Sequence, residues 1–157
     1  MNKFYKFMIW LIVIIYIGFI FSNSLQSGEI SGATSMKLAK IIVNYAEKLN
    51  ISMSLTLFHS LLRKLAHFIE FFGLGLLVGI AIATCPLFKS RILNFVIFLL
   101  AVPFTDEFIQ RYVPDRVSTY KDMIIDATGM LLGGFFIYVS YLIIKDIVSM
   151  FNKKTSK

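Results

Sequence analysis

The residue types most able to do chemistry in this sequence are a histidine and several carboxylates that recur at helical spacing. Glu70 follows His67 by three residues and Arg63 precedes it by four, so the three side chains share one face of a helix. A histidine beside a carboxylate can transfer protons, and the same pair can ligate a divalent metal. His67 and Glu70 are therefore candidate catalytic residues.

Further carboxylates stand near the ends of two other apolar segments. Asp106 and Glu107 close one segment, and Asp126 lies just inside the next, on the helix face that carries Gly129 and Gly133. Small residues at this interval let helices pack closely, so Asp126 is expected to point into a bundle. A charge in the hydrocarbon region costs about 2.5–3.5 kcal/mol on insertion scales, which indicates that these groups have a use. The candidate catalytic set is His67, Glu70, Asp106, Glu107 and Asp126.

Basic, amide and hydroxyl side chains accompany these carboxylates, and arginine and lysine are the usual partners of phosphate groups. The candidate substrate-binding residues are Ser24, Gln26, Arg63, Lys64, Gln110, Arg116 and Asp122. The alternative is structural, with Arg63 or Arg116 pairing with Glu70 or Asp126 to order the bundle. For a buried carboxylate we favour such pairing over a bound divalent metal, although metal-assisted hydrolysis stays open as a variant of the enzyme hypothesis.

The elements that must position these residues are unusually apolar. Hydrophobic residues make up 57% of the 157-residue chain and charged residues 16%, whereas soluble domains have about 25% charged residues. This composition excludes disorder, collagen and coiled coil, and the single cysteine excludes a disulfide framework. The net charge of +7 is explained by basic residues at a membrane edge, so nucleic acid is not an expected partner. The sequence predicts a protein whose solvent is the lipid bilayer.

Four segments are long enough to cross that bilayer, which takes about 20 residues. They lie at about residues 4–21, 66–85, 92–109 and 123–144 of a single domain covering 1–157. The first segment could instead be a signal peptide, but the absence of a following cleavage site favours an uncleaved helix. Pro103 predicts a kink or a broken turn inside the third segment.

An amphipathic helix is predicted between the first two spans, over about residues 34–50. Its apolar residues recur at helical spacing among charged ones, namely Leu38, Ile41, Ile42, Tyr45 and Leu49. The segment is too charged to span and suits a lipid–water interface or a lid over the polar residues. The predicted fold class is therefore an all-α membrane protein with four transmembrane helices and an interfacial helix in the first extracytoplasmic loop.

The basic residues also predict an orientation. Residues 1–6, 86–91 and 145–157 carry eight Lys and Arg in 25 positions, whereas residues 22–66 and 106–122 spread eight over 62. Dense positive charge beside short loops marks the cytoplasmic side, so both termini are predicted to be cytoplasmic. The candidate catalytic and binding residues then meet at the outer face, and Cys85 lies near the inner one.

Four stretches together resemble the VanZ-like membrane proteins. They are FSNSLQSG at 21–28, RKLAHFIEFFGLG at 63–75, TDEFIQRYVPDR at 105–116 and DxxxDxxG at 122–129, in the family's order over about residues 7–144. Phe71 is the one notable departure, because tyrosine is common there. The resemblance implies a bacterial cytoplasmic-membrane protein whose site is formed by the candidate residues named above. It also implies a possible role in teicoplanin resistance, with which the family's founding member is associated.

Two function hypotheses from different classes remain. The first is an enzyme at the outer leaflet that acts by histidine–carboxylate acid–base chemistry on an amphiphilic, phosphate-bearing or lipid-linked envelope molecule. The second is a non-catalytic protein that binds or shields a lipid-linked head group or a lipoglycopeptide. A channel is disfavoured because the inner halves of the helices carry almost no polar residues, and a purely structural or partner-binding subunit is the remaining alternative.

Overall fold

All the regular secondary structure in the described part of the chain is α-helix. The computed structural model of the protein describes residues 2–52, 54–116 and 119–155, with the side chains of 152–155 left out. Its elements in chain order are α1 (Lys3–Ser24), α2 (Gly28–Lys48), α3 (Leu55–Thr84), α4 (Arg91–Gln110) and α5 (Tyr120–Thr155). All but α2 are long and apolar enough to cross a membrane, so the structure has four helices that could serve as the predicted spans.

Local sequence explains where these helices begin. A side-chain oxygen at the residue before each of the first four helices accepts a hydrogen bond from a backbone N–H of the first turn, as N-cap residues do. The capping residues are Asn2, Ser27, Ser54 and Ser90. Pro103 does not interrupt α4, which is continuous through it, so the alternative of a broken turn was wrong.

The centre of the bundle is the contact between α3 and α5, where glycines remove the side chains that would hold the helices apart. A Cβ atom on Gly129 would lie 2.5 Å from the carbonyl oxygen of Phe68, and one on Gly133 would overlap the carbonyl oxygen of Phe72. Gly75 faces the backbone of α5 in the same way. The predicted close packing is confirmed, and it turns the preceding helical turn of α5, which carries Asp126, toward α3.

A helix is present in the predicted region, but α2 begins earlier, at Gly28, and packs through a different face; its position at a lipid–water interface stays a prediction. Its buried residues are Ala39, Val43 and Ala46, which are small enough to let the helix lie close to α3. The residues that carried the sequence prediction are instead exposed, among them Leu38, Ile41, Tyr45 and Leu49. The first turn of α2 is held by a hydrogen bond from the Gly28 N–H to the carbonyl of Pro114, at 3.1 Å.

Candidate functional site

Asp126 is a fully buried carboxylate at one end of the bundle. Its side chain lies in α5, is fully buried, and approaches α3 so that its Oδ1 is 3.8 Å from Nδ1 of His67. That distance permits an ion pair but exceeds a hydrogen bond. Within the described residues, neither Asp126 oxygen nor Nδ1 of His67 has a hydrogen-bond partner. The two groups therefore face each other across a small gap.

Asp106 approaches the same place from α4 and is held firmly. Its Oδ1 accepts a hydrogen bond from the Ser24 hydroxyl at 2.6 Å, and its Oδ2 accepts one from the Gln110 amide at 2.6 Å. All three side chains are buried. Ser24 and Gln110, expected from sequence to bind substrate, thus fix the orientation of a carboxylate in this structure.

Glu70 is directed toward α1 rather than toward His67. Its Oε1 accepts a hydrogen bond from Nδ2 of Asn23 at 2.9 Å. The backbone carbonyl of Glu70 also accepts one from the Tyr16 hydroxyl, at 3.2 Å. Sequence reasoning did not single out Asn23. The available signal was its position inside the stretch of residues 21–28 that also contains Ser24.

The predicted arginine–carboxylate pairs are not formed. Among the described residues, neither Glu70 nor Asp126 has an ion pair with Arg63 or Arg116. Arg116 instead donates from Nε to the carbonyl of Gln26 at 3.0 Å and from Nη2 to the carbonyl of Asn23 at 2.8 Å. These carbonyls close the C-terminal end of α1, where the helix leaves acceptors unsatisfied and a cation is favourable.

Arg116 stands in the stretch 111–116 that follows α4, which contacts the C-terminal end of α1 and the start of α2. Burial lowers the pKa of its guanidinium below the ordinary arginine value, although the nearby carboxylate of Asp106 opposes that effect. A Cβ atom on Gly28 would overlap the backbone carbonyl of Asp115. The loop and the start of α2 are thus in backbone contact, and glycine is needed at this point.

A small pocket opens between this loop, α2 and α3. Its cavity volume is about 20 Å³, which is enough for one water molecule. Its lining consists of Gly28, Ser31, Arg63, Lys64, His67, Gln110, Arg116, Asp122 and Ile125. Of the residues expected there from sequence, Glu70, Asp106, Glu107 and Asp126 do not line the pocket. Gln26 does not line it either, and its carbonyl accepts a hydrogen bond from Arg116.

Helix α3 contributes two cations to the pocket, which also contains the Asp122 carboxylate. Arg63 and Lys64 both line it, and neither forms a hydrogen bond or an ion pair with another described residue. Arg63 lies one turn before His67 on the same helix. The pocket therefore presents three cationic groups, Arg63, Lys64 and Arg116, together with the Asp122 carboxylate and a histidine backed by a buried carboxylate.

Four helices of membrane-spanning length with a buried polar cluster at one end of the bundle fit a multi-pass membrane protein. A sequence model of the VanZ/LLP1 family matches residues 7–144, and the chain belongs to that family. No curated protein and no solved structure shows significant similarity to the chain.

Proposed function

We propose that the protein binds the phosphate head group of an amphiphilic or lipid-linked cell-envelope molecule at the outer face of a bacterial cytoplasmic membrane and acts on it. The observation that supports this most directly is the presence of Arg63 and Lys64 in the pocket without a carboxylate partner among the described residues. Unpaired cations at a membrane surface attract anions, and phosphate accepts hydrogen bonds from both residue types.

The length of α3 supports a site at head-group depth. Its 30 residues extend about 45 Å at ~1.5 Å per residue, against a hydrocarbon core of ~30 Å. Counting about 20 residues back from Thr84 reaches Leu65. Arg63 and Lys64 then lie at the level of the head groups, and His67 lies just inside. The exposed apolar stripe of α2 fits the adjacent membrane surface, with the helix lying flat on it.

The chemistry proposed for this site is proton transfer by His67, with Asp126 stabilising the charged imidazole. On a lipid diphosphate, a water oxygen bonds to the terminal phosphorus as the bridging P–O bond breaks, which gives inorganic phosphate and releases the lipid monophosphate with the bridging oxygen. His67 accepts the proton of the attacking water. The non-catalytic binding or shielding role is the second candidate, favoured by the 3.8 Å gap between His67 and Asp126, which leaves the pair without a hydrogen bond. Both the catalytic role and the binding role are compatible with a role in teicoplanin resistance.

Removal of the unpaired cations tests the binding step. In nanodiscs, the double variant Arg63→Ala/Lys64→Ala should bind a polyisoprenyl phosphate at least about tenfold more weakly, because charge-assisted hydrogen bonds contribute about 1.5–3 kcal/mol each. The matched control is Lys37→Ala/Lys40→Ala, which removes the same charge from exposed positions of α2. Equal losses in the two double variants, or equal affinity of the native protein for the uncharged polyisoprenol, would contradict the proposal.

The orientation is tested by cysteine labelling, for which the native cysteine is unsuitable. Cys85 is 5% exposed, so an impermeant reagent would fail to reach it from either side. In a Cys85→Ala background, Leu87→Cys places a thiol at a position that is 55% exposed, and Glu47→Cys places one at an exposed, charged position of α2. With cytoplasmic termini, intact cells should label Glu47→Cys, and Leu87→Cys should label only after permeabilisation. The reverse pattern would invert the orientation.

A further inference from the structure

We propose that His67, Asp106 and Asp126 together bind one divalent first-row cation such as Zn²⁺ or Mn²⁺. Each residue offers one ligand atom, a ring nitrogen or a carboxylate oxygen, and these atoms all lie within 4.8 Å of one another. The three residues come from α3, α4 and α5, so the convergence is a property of the tertiary structure. One imidazole with two carboxylates suits zinc or manganese better than calcium or magnesium, which prefer oxygen ligands alone.

The second observation is that the Asp126 carboxylate is buried without a hydrogen-bond partner among the described residues. Its side chain is 1% exposed, and neither oxygen accepts a hydrogen bond from a described residue. A buried carboxylate must be paired with a cation, neutralised by a proton, or bound to a metal. The arginine pairing expected from sequence is not formed, and Nδ1 of His67 also lacks a partner among the described residues. Two unsatisfied ligand atoms thus point toward each other.

The geometry of Asp106 fits the role of a third ligand. Ser24 donates a hydrogen bond to its Oδ1, and Gln110 donates one to its Oδ2. Carboxylates that bind metals are commonly oriented by such hydrogen bonds. Each oxygen keeps a further lone pair. A tetrahedral site with bonds of about 2.0–2.2 Å places ligand atoms roughly 3.4 Å apart. The His67–Asp126 separation of 3.8 Å needs only a small contraction to meet that value.

The inference rests on the proposed function and changes the role of His67 within it. His67 lines the pocket that also contains Arg63 and Lys64, so a cation bound to its buried Nδ1 would lie beside that pocket. Three protein ligands with one open position is the arrangement of catalytic zinc sites. With an ion bound, His67 is a ligand rather than the base, and the ion supplies Lewis-acid chemistry to the phosphate.

The test uses the metal alone on the full-length protein in detergent. After removal of metals by a chelator and titration with Zn²⁺ or Mn²⁺, elemental mass spectrometry should find one ion per chain, and the thermal unfolding midpoint should rise. Asp126→Asn should weaken binding at least about 100-fold, the upper end of what outer-shell changes alone cause. The matched control is Asp146→Asn, which removes an exposed carboxylate near the other end of α5 and should bind as the native protein does.

The inference would be overturned if the native protein bound no stoichiometric ion, or if it bound no more than Asp126→Asn does. Either result would indicate that Asp126 is neutralised by a proton instead. His67→Gln provides a second ligand variant should Asp126→Asn not fold. Arg63→Ala/Lys64→Ala should still bind the ion. Ion binding without any preference for phosphate would therefore refute the proposed function alone, and preference for phosphate without ion binding would refute only the metal site.

Discussion

Replacement of His67 by alanine is expected to lower the release of inorganic phosphate from a polyisoprenyl diphosphate by at least about 100-fold, the lower end of what a proton-transferring group contributes. The affinity for the head group should change by less than about threefold, because Arg63 and Lys64 remain in the pocket. The measurement compares phosphate release in reconstituted vesicles with equilibrium binding of the same lipid. The expected loss is the same if His67 is a metal ligand.

The other histidine of the chain provides the control. His59 lies earlier in α3, where its Nε2 is 3.2 Å from the carbonyl of Gly32, and it does not line the pocket. His59→Ala should retain turnover. A native protein that binds the lipid without releasing phosphate, combined with a His67→Ala variant that binds it equally well, would exclude the enzyme and leave the binding role.

Substitution of Gly133 by alanine is expected to destabilise the bundle by about 1–3 kcal/mol, the usual cost of overpacking a close contact. The added methyl group would overlap the carbonyl oxygen of Phe72, and neither backbone can move without separating α3 from α5. The free energy of unfolding in detergent measures the effect. The same change should widen the His67–Asp126 gap, because Asp126 lies two turns earlier on α5.

Gly18→Ala is the matched control for this substitution. Gly18 is also within a membrane-length helix, but a Cβ atom there would meet nothing within 4 Å. The control should be neutral or slightly stabilising, since alanine has the higher helix propensity. Equal stability losses in the two variants would mean that glycine flexibility, not the α3–α5 contact, is the property that matters.

Much of the candidate site could be predicted because residues at intervals of three and four share a helix face. That rule placed Arg63 beside His67 and directed Asp126, with Gly129, into the bundle. The number of spans followed in the same way from apolar runs long enough for a bilayer. The rule does not extend between helices, so the partner of each polar side chain had to be found in the structure.

Glu70 and Arg116 show that residue spacing along the sequence does not predict contacts between helices. Both were expected to pair with an opposite charge, yet Glu70 accepts a hydrogen bond from Asn23 and Arg116 donates to backbone carbonyls at the end of α1. Backbone acceptors carry no signal in the sequence, and an uncharged amide competes with a distant cation when it is closer. Charge complementarity read from sequence was therefore a poor guide to pairing.

The sequence by itself determined that this protein is a set of apolar helices with polar ends, because helix periodicity and hydrophobic length are local properties of the chain. It also determined its membership of the VanZ/LLP1 family, through short motifs read in order. The tertiary structure alone decided that α2 packs through alanine and valine, and that His67, Asp106 and Asp126 converge within 4.8 Å. Those outcomes depend on how closely helices distant in sequence approach, and that approach is set by glycine contacts between backbones.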